Sequence, residues 1–97
     1  MNRSGFKILY DTLKLVQMGK NTRSRLFYNQ PINYNGLKPI LSRLERHSLL
    51  VKRKATEEEL RRDKRSRWFI ELTDEGRRFI REVEVLNKRY SGILLEW

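Results

Sequence analysis

The apolar residues of this chain change their period along its length, and those changes restrict the fold more than any other feature. Phe6, Leu9, Leu13 and Val16 recur three and four apart, as do Leu37, Ile40, Leu41 and Leu44. An α-helix turns about 100° per residue, so each set falls on one stripe. Amphipathic helices are predicted over roughly 6–18 and from Asn33 onward. Between Arg67 and Leu72 the pattern alternates instead, with Trp68, Ile70 and Leu72 on one side and Phe69 and Glu71 on the other. That is the mark of a strand, and Leu49–Lys54, apolar and β-branched and then basic, is its expected antiparallel partner. Helical spacing returns with Phe79, Ile80, Val83, Leu86 and Tyr90.

Local signals punctuate these segments. Gly19 stops the first helix. Asn21 or Thr22 supplies a side-chain oxygen to cap a short second helix reaching about Tyr28, and Asn29-Gln30-Pro31 reads as the following turn. Pro39 lies inside the third helix, where it removes one backbone hydrogen bond, so a kink or a start later than Asn33 is expected. Ala55–Ser66, between the strands, is too long for a tight hairpin. Its Glu57 and Glu58 stand four residues before Arg61 and Arg62, which suits either a helical turn or a mobile loop. Thr73 can cap the last helix, Asp74 and Glu75 suit the positive end of its dipole, and Gly76 lets its first turn pack closely. Ser91-Gly92 breaks or loosens that helix near its end.

Ninety-seven residues suffice for one domain. The expected division is a tail over 1–5, a domain over 6–78 and a C-terminal helix over 79–97. Lys and Arg outnumber Asp and Glu by 22 to 12, a formal charge of +10 that favours a polyanionic partner. A membrane surface is the rival anion, but no apolar run approaches the ~20 residues of a span and no segment joins a basic face to a purely apolar one. Residues 1–11 lack the pattern of a secretory signal, so a cytoplasmic location is expected.

There is no cysteine, which excludes disulfides and thiolate zinc sites. His47 is the only histidine, and its place near a helix end suits a cap or a solvated ring. No nucleophile–base pair, glycine-rich phosphate loop or metal-ligand cluster is present, so no catalysis, cofactor, metal or small-molecule ligand is implied.

The predicted order is helix, helix, helix, strand, wing, strand, helix, a mostly helical α+β arrangement of the winged helix-turn-helix type. Three stretches resemble small winged-helix DNA-binding proteins of archaea and archaeal viruses. They are Lys20-Asn21-Thr22-Arg23, Asn33-Tyr34 with the leucine stripe after it, and Phe69-Ile70-Glu71-Leu72-Thr73-Asp74-Glu75-Gly76-Arg77-Arg78-Phe79. In that family a basic segment opens the second helix, and Leu-Thr-x-x-Gly leads from the last strand into a long terminal helix. The resemblance covers about residues 6–90. It implies intracellular binding of double-stranded DNA and frequent dimerisation through the last helix.

An α-helix fits the B-DNA major groove, which makes the third helix the expected reader. Its outward side carries Asn35, Lys38, Ser42 and Arg46, with Arg43 at the edge. Lys20, Arg23 and Arg25 surround the start of the second helix and suit phosphate anchoring. Arg61, Arg62, Lys64, Arg65 and Arg67 suit phosphates or the minor groove. Glu57, Glu58 and Glu59 would be repelled by DNA, so only the arginine-rich half of the wing is expected to touch it.

Phe79, Val83, Leu86, Tyr90, Ile93 and Trp97 alternate spacings of four and three, the seam of a coiled coil. Val83, Leu86, Tyr90, Ile93, Leu94 and Trp97 are therefore candidates for a homodimer contact, unless the tail folds back on its own domain. Three functions fit: a transcription regulator on a roughly palindromic site, an architectural duplex-binding protein with little base preference, and a protein-interaction adaptor. The positive charge argues against the last.

Overall fold

The computed structural model describes residues 5–30 and 32–90, in the order α1 (Gly5–Gln17), α2 (Arg23–Tyr28), α3 (Tyr34–Arg46), β1 (Leu50–Lys54), α4 (Glu57–Arg62), β2 (Trp68–Leu72) and α5 (Asp74–Arg89). This is the expected fold class: three main helices, a two-stranded antiparallel wing and a long C-terminal helix. Leu13, Leu26, Leu37 and Ile80, one from each of the four core helices, are among the most completely buried side chains. Tyr10, Val16, Leu41, Leu44, Leu50, Ile70 and Val83 complete the cluster. Burying one such aliphatic side chain is worth roughly 1.5–3 kcal/mol, so the four helices and the base of the wing are held mainly by this shared centre.

The helix ends follow from identifiable atoms. Gly19, at φ 94, lets α1 turn back, with the Gly19 and Lys20 N–H groups donating to the Val16 and Leu15 carbonyls. Thr22, not Asn21, caps α2, its hydroxyl accepting from the Arg25 N–H. Asn33 caps α3 through the Gly36 N–H at 2.7 Å. The helix then runs from Tyr34 through Pro39 to Arg46, starting directly after Asn33. Pro39 leaves only the Asn35 carbonyl without its usual donor. Ser48, at φ 61, ends the helix in the left-handed region.

Two features of the strands were not set by their alternation. The register pairs Leu50 with Leu72, Lys52 with Ile70, and Lys54 with Trp68, so Trp68 does share a face with Ile70. The core ends at Ile70, however, and Trp68 is 52% exposed. Phe69, on the opposite face, is only 6% exposed. The Arg53 guanidinium lies over its ring, 4.9 Å from the centroid.

The segment between the strands contains a helix. Thr56 and Glu59 form a reciprocal capping box at its start, each side chain accepting from the other's backbone N–H. Arg53 then ties α4 to the hairpin with two hydrogen bonds to Glu59, at 2.7 and 2.9 Å, and an ion pair with Glu71 at 3.2 Å. These bonds, chiefly those with Glu59, hold the Arg53 guanidinium charged well beyond its ordinary range. Glu59, bonded by Arg53 and by the Thr56 N–H, has its carboxyl pulled down to about 2.

Helix α5 docks through its first turn. Thr73 caps it, accepting from the Gly76 N–H at 2.9 Å and donating to the Ser48 carbonyl. A Cβ on Gly76 would lie 2.2 Å from the Leu49 carbonyl oxygen, so only glycine allows this approach. Further along, Phe79 packs beside Phe6 with ring centroids 6.2 Å apart, and Lys14 pairs with Glu84 at 3.6 Å.

Candidate nucleic-acid interface

Helix α3 separates its side chains as its sequence requires. Leu37, Leu41 and Leu44 are buried, whereas Asn35, Lys38, Ser42, Arg43 and Arg46 are all exposed. Glu45, the only carboxylate on this helix, points aside and pairs with Lys52 of β1 at 3.5 Å. The outward face therefore presents an amide, a hydroxyl and three cations with no acid among them. His47 follows as the C-cap, exposed at the helix end.

The cations that the sequence assigned to two separate anchors meet in one cleft. Arg23 at the start of α2 and Arg65 and Arg67 from the wing line a space of about 590 Å³, together with Thr22, Ser24, Lys52, Ser66, Trp68 and Ile70. The Ile70 N–H donates to the Asn21 carbonyl at 2.9 Å, which fixes β2 against the turn before α2. Arg25 lies outside this cleft, its guanidinium donating to the Asn21 amide oxygen. Lys20 is half-buried and does not line it either.

A second cleft, of about 630 Å³, opens on the wing between Lys54, Arg61, Lys64 and Arg67, with Ala55, Leu60 and Trp68 as its apolar wall. The turn beside it is ordered by Asp63, which accepts from the Ser66 hydroxyl and the Arg65 N–H; these bonds lower its carboxyl below the ordinary range. Arg62 instead faces Glu58 at 3.5 Å, and Arg61 stands 3.9 Å from Glu57, both pairs solvent-exposed and correspondingly weak. Glu59 is turned inward to Arg53. No α3 side chain lines either cleft, so the outward face of α3 and the wing clefts are distinct surfaces.

Among the lining residues outside the sequence-derived set are two cations and an indole, Lys52, Lys54 and Trp68. The cross-strand register places all three on one face of the hairpin. Strand alternation in Leu50–Lys54 is the signal that pairs them.

On α5, Val83 is 4% exposed and belongs to its own domain's core, which removes it as a contact between copies. Leu86 and Tyr90 are exposed, as is Val85, which the heptad spacing passed over. Leu86 and Val85 line a shallow groove of about 390 Å³ with Arg78, Arg81 and Glu82. Ile93, Leu94 and Trp97 lie outside the described residues, as do the expected tail residues 1–4, Pro31 and Ser91-Gly92.

A model of the family described as winged helix-turn-helix matches residues 2–90. The chain belongs to the winged helix-turn-helix family. No curated protein and no solved structure matches it. A winged helix-turn-helix domain suggests DNA binding, and the family is typically non-catalytic. In this winged helix-turn-helix, α2 and α3 form the helix-turn-helix and the β1–α4–β2 unit is the wing. Among the described residues no helix is long and apolar enough to cross a membrane, and no three His, Cys, Asp or Glu side chains are grouped to hold a metal ion.

Proposed function

We propose that this chain is a regulator of transcription that binds double-stranded DNA, with α3 in the major groove and the wing along the backbone or minor groove. The observation that carries the reading is the acid-free outward face of α3, set on a helix whose other side is locked into the core. Asn35 suits adenine, Lys38, Arg43 and Arg46 suit guanine or phosphate, and Ser42 suits either. Arg23, Arg65 and Arg67, gathered in one cleft, suit a phosphate run, and Lys20 and Arg25 flank it. Arg61, Arg62 and Lys64 extend the positive surface along the wing.

The protein acts as a homodimer in this reading. Leu86, Tyr90 and Val85 form an exposed apolar edge on α5, and the same heptad continues in sequence through Ile93 and Trp97, with Leu94 beside it. A two-fold pairing of α5 would present two α3 helices to successive major-groove faces, about 34 Å apart.

Titration of the full chain against salt, on random duplex and on selected sites, tests the function. Duplex binding at about 50 mM salt, weakening linearly in log–log form because binding releases counterions into an increasingly salty solution, is the expected result. A regulator keeps a large affinity ratio for its preferred site. The seven cations lining the two wing clefts support a second reading, an architectural protein, which would bind all duplexes with one affinity. Absence of duplex binding at low salt would refute both and leave the adaptor.

A further inference from the structure

The indole of Trp68 is left over from folding. Its strand partners on the same face, Ile70 and Leu72, reach the core, but Trp68 overhangs it and keeps about half its surface in solvent. It forms a shared wall of both wing clefts. Lys52 and Arg65 lie on one side of it, Lys54 and Lys64 on the other, and Arg67 on both; neither cleft contains a carboxylate. Lys54 Nζ stands 5.9 Å from the centre of the indole. An accessible π-face set among cations matches a ligand that carries both a flat aromatic group and a negative charge, repeated along a chain.

Resting on the reading that the protein binds DNA, we propose that the wing holds a site for single-stranded DNA, in which an unpaired base stacks on Trp68 and its phosphates lie in the flanking clefts. Bases inside a duplex are already stacked on both faces and offer only their edges to a protein. An unpaired nucleotide offers a face, and every base has one, so recognition by stacking is tolerant of sequence. The apolar wall made by Leu60 and Ala55 in the second cleft suits a sugar or a neighbouring base, while its cations suit the backbone. This site is separate from the α3 face, whose side chains line neither cleft. The two surfaces together suit DNA at a junction of paired and unpaired strands.

The test uses the full chain carrying Trp97→Phe, which leaves Trp68 as the only indole. Oligothymidine of about 12 nucleotides should quench its fluorescence on binding. Trp68→Ala should weaken oligothymidine binding about 5- to 150-fold, the range for loss of one stacked base, and random-duplex binding by a clearly smaller factor, since the indole also lines the cleft assigned to duplex phosphates. Trp68→Phe should recover most of the affinity. Trp68→Leu, which keeps bulk without a π-face, should not, and this comparison holds even if the alanine variant is poorly folded. Oligothymidine that binds without quenching, or equally to the phenylalanine and leucine variants, overturns the inference while duplex binding stands. Equal losses on oligothymidine and duplex would make Trp68 a groove wedge and also overturn it. Failure of both DNAs to bind the parent would instead remove the DNA reading beneath it.

Discussion

Replacing Gly76 by alanine adds one methyl group to a helix, which at an open site stabilises by about 0.5–1 kcal/mol. Here the sign should reverse. The new Cβ would stand 2.2 Å from the Leu49 carbonyl oxygen and 3.1 Å from Leu72 Cδ2, whereas ordinary contact begins at 3.4 Å. The carbonyl cannot easily retreat, because Leu49 is held by its N–H to the Leu44 carbonyl at 2.9 Å and accepts the Thr73 N–H at 3.2 Å. Relief requires a shift of about an ångström in the first turn of α5, which strains the packing by roughly 1–3 kcal/mol and weakens a hydrogen bond worth about 1 kcal/mol. The net expectation is a loss of about 2–3 kcal/mol, or a fall in Tm of roughly 10–20 °C for a domain of this size. Gly36 is a matched control. It holds the same third position of its helix and likewise donates its N–H to the cap side chain, but an added Cβ would meet only side-chain atoms, of Ile32 at 3.0 and 3.2 Å and of Asn33 at 3.3 Å, which can give by a few tenths of an ångström. Thermal and urea unfolding should place Gly36→Ala within about 1 kcal/mol of the parent. Equal stability of the two variants would refute the argument that backbone contact, not helix propensity, decides at Gly76.

Alanine at Asn35, Lys38 or Arg46 should weaken binding to the preferred site by about 1–3 kcal/mol wherever a bidentate base contact is lost, with Tm nearly unchanged; three unaltered affinities would refute the groove assignment. Joint replacement of Arg61, Arg62, Lys64 and Arg65 by alanine should lower affinity for all duplexes and flatten the salt slope, and a loss confined to one sequence would mean that the wing reads bases. The Glu59 carboxyl is lower in the folded wing than its ordinary 4.5, so its stabilisation is complete above that value and is lost as pH falls toward about 2. Followed by Trp68 fluorescence in the Trp97→Phe background, an acid transition in that window should be removed by Glu59→Gln; an identical transition in the variant would assign it elsewhere. Sedimentation should show Leu86→Asp with Tyr90→Asp to be a folded monomer with weakened site binding, and a monomeric parent at tens of micromolar would exclude the dimer.

The main helices and the outward face of α3 were legible because each depends on a single stripe repeated over several turns. Leu37, Leu41 and Leu44 bury one side of α3, and that alone turns Asn35, Lys38 and Arg46 outward. The close approach at Gly76 was legible for a related reason: a capping threonine, two acids and a glycine meet at one helix start. Helix α4 was harder. It buries no residue and so has no apolar period, although Thr56-x-x-Glu59 carries the capping signature. The exchange of Trp68 and Phe69 was not readable from alternation, which assumes one covered face. Arg53 and the α4 unit cover the second face locally, while the core stops short of Trp68. Val83 was misplaced because a heptad stripe looks the same whether it packs on its own domain or on another copy.

The Arg53 contacts also bear on how such a wing could change in length. Glu59 of α4, Glu71 of β2 and the ring of Phe69 all converge on one guanidinium, so the inserted helix and the hairpin share a single fastening. Deleting α4 to leave a tight turn would do more than shorten a loop: it would leave Arg53, which lies over the Phe69 ring, with one carboxylate instead of two. A wing of another length on this scaffold keeps Arg53 fully paired only if a carboxylate stands where Glu59 now does. Residues 53, 59 and 69 are thus coupled through one guanidinium, and a change at any one of them is felt by the other two.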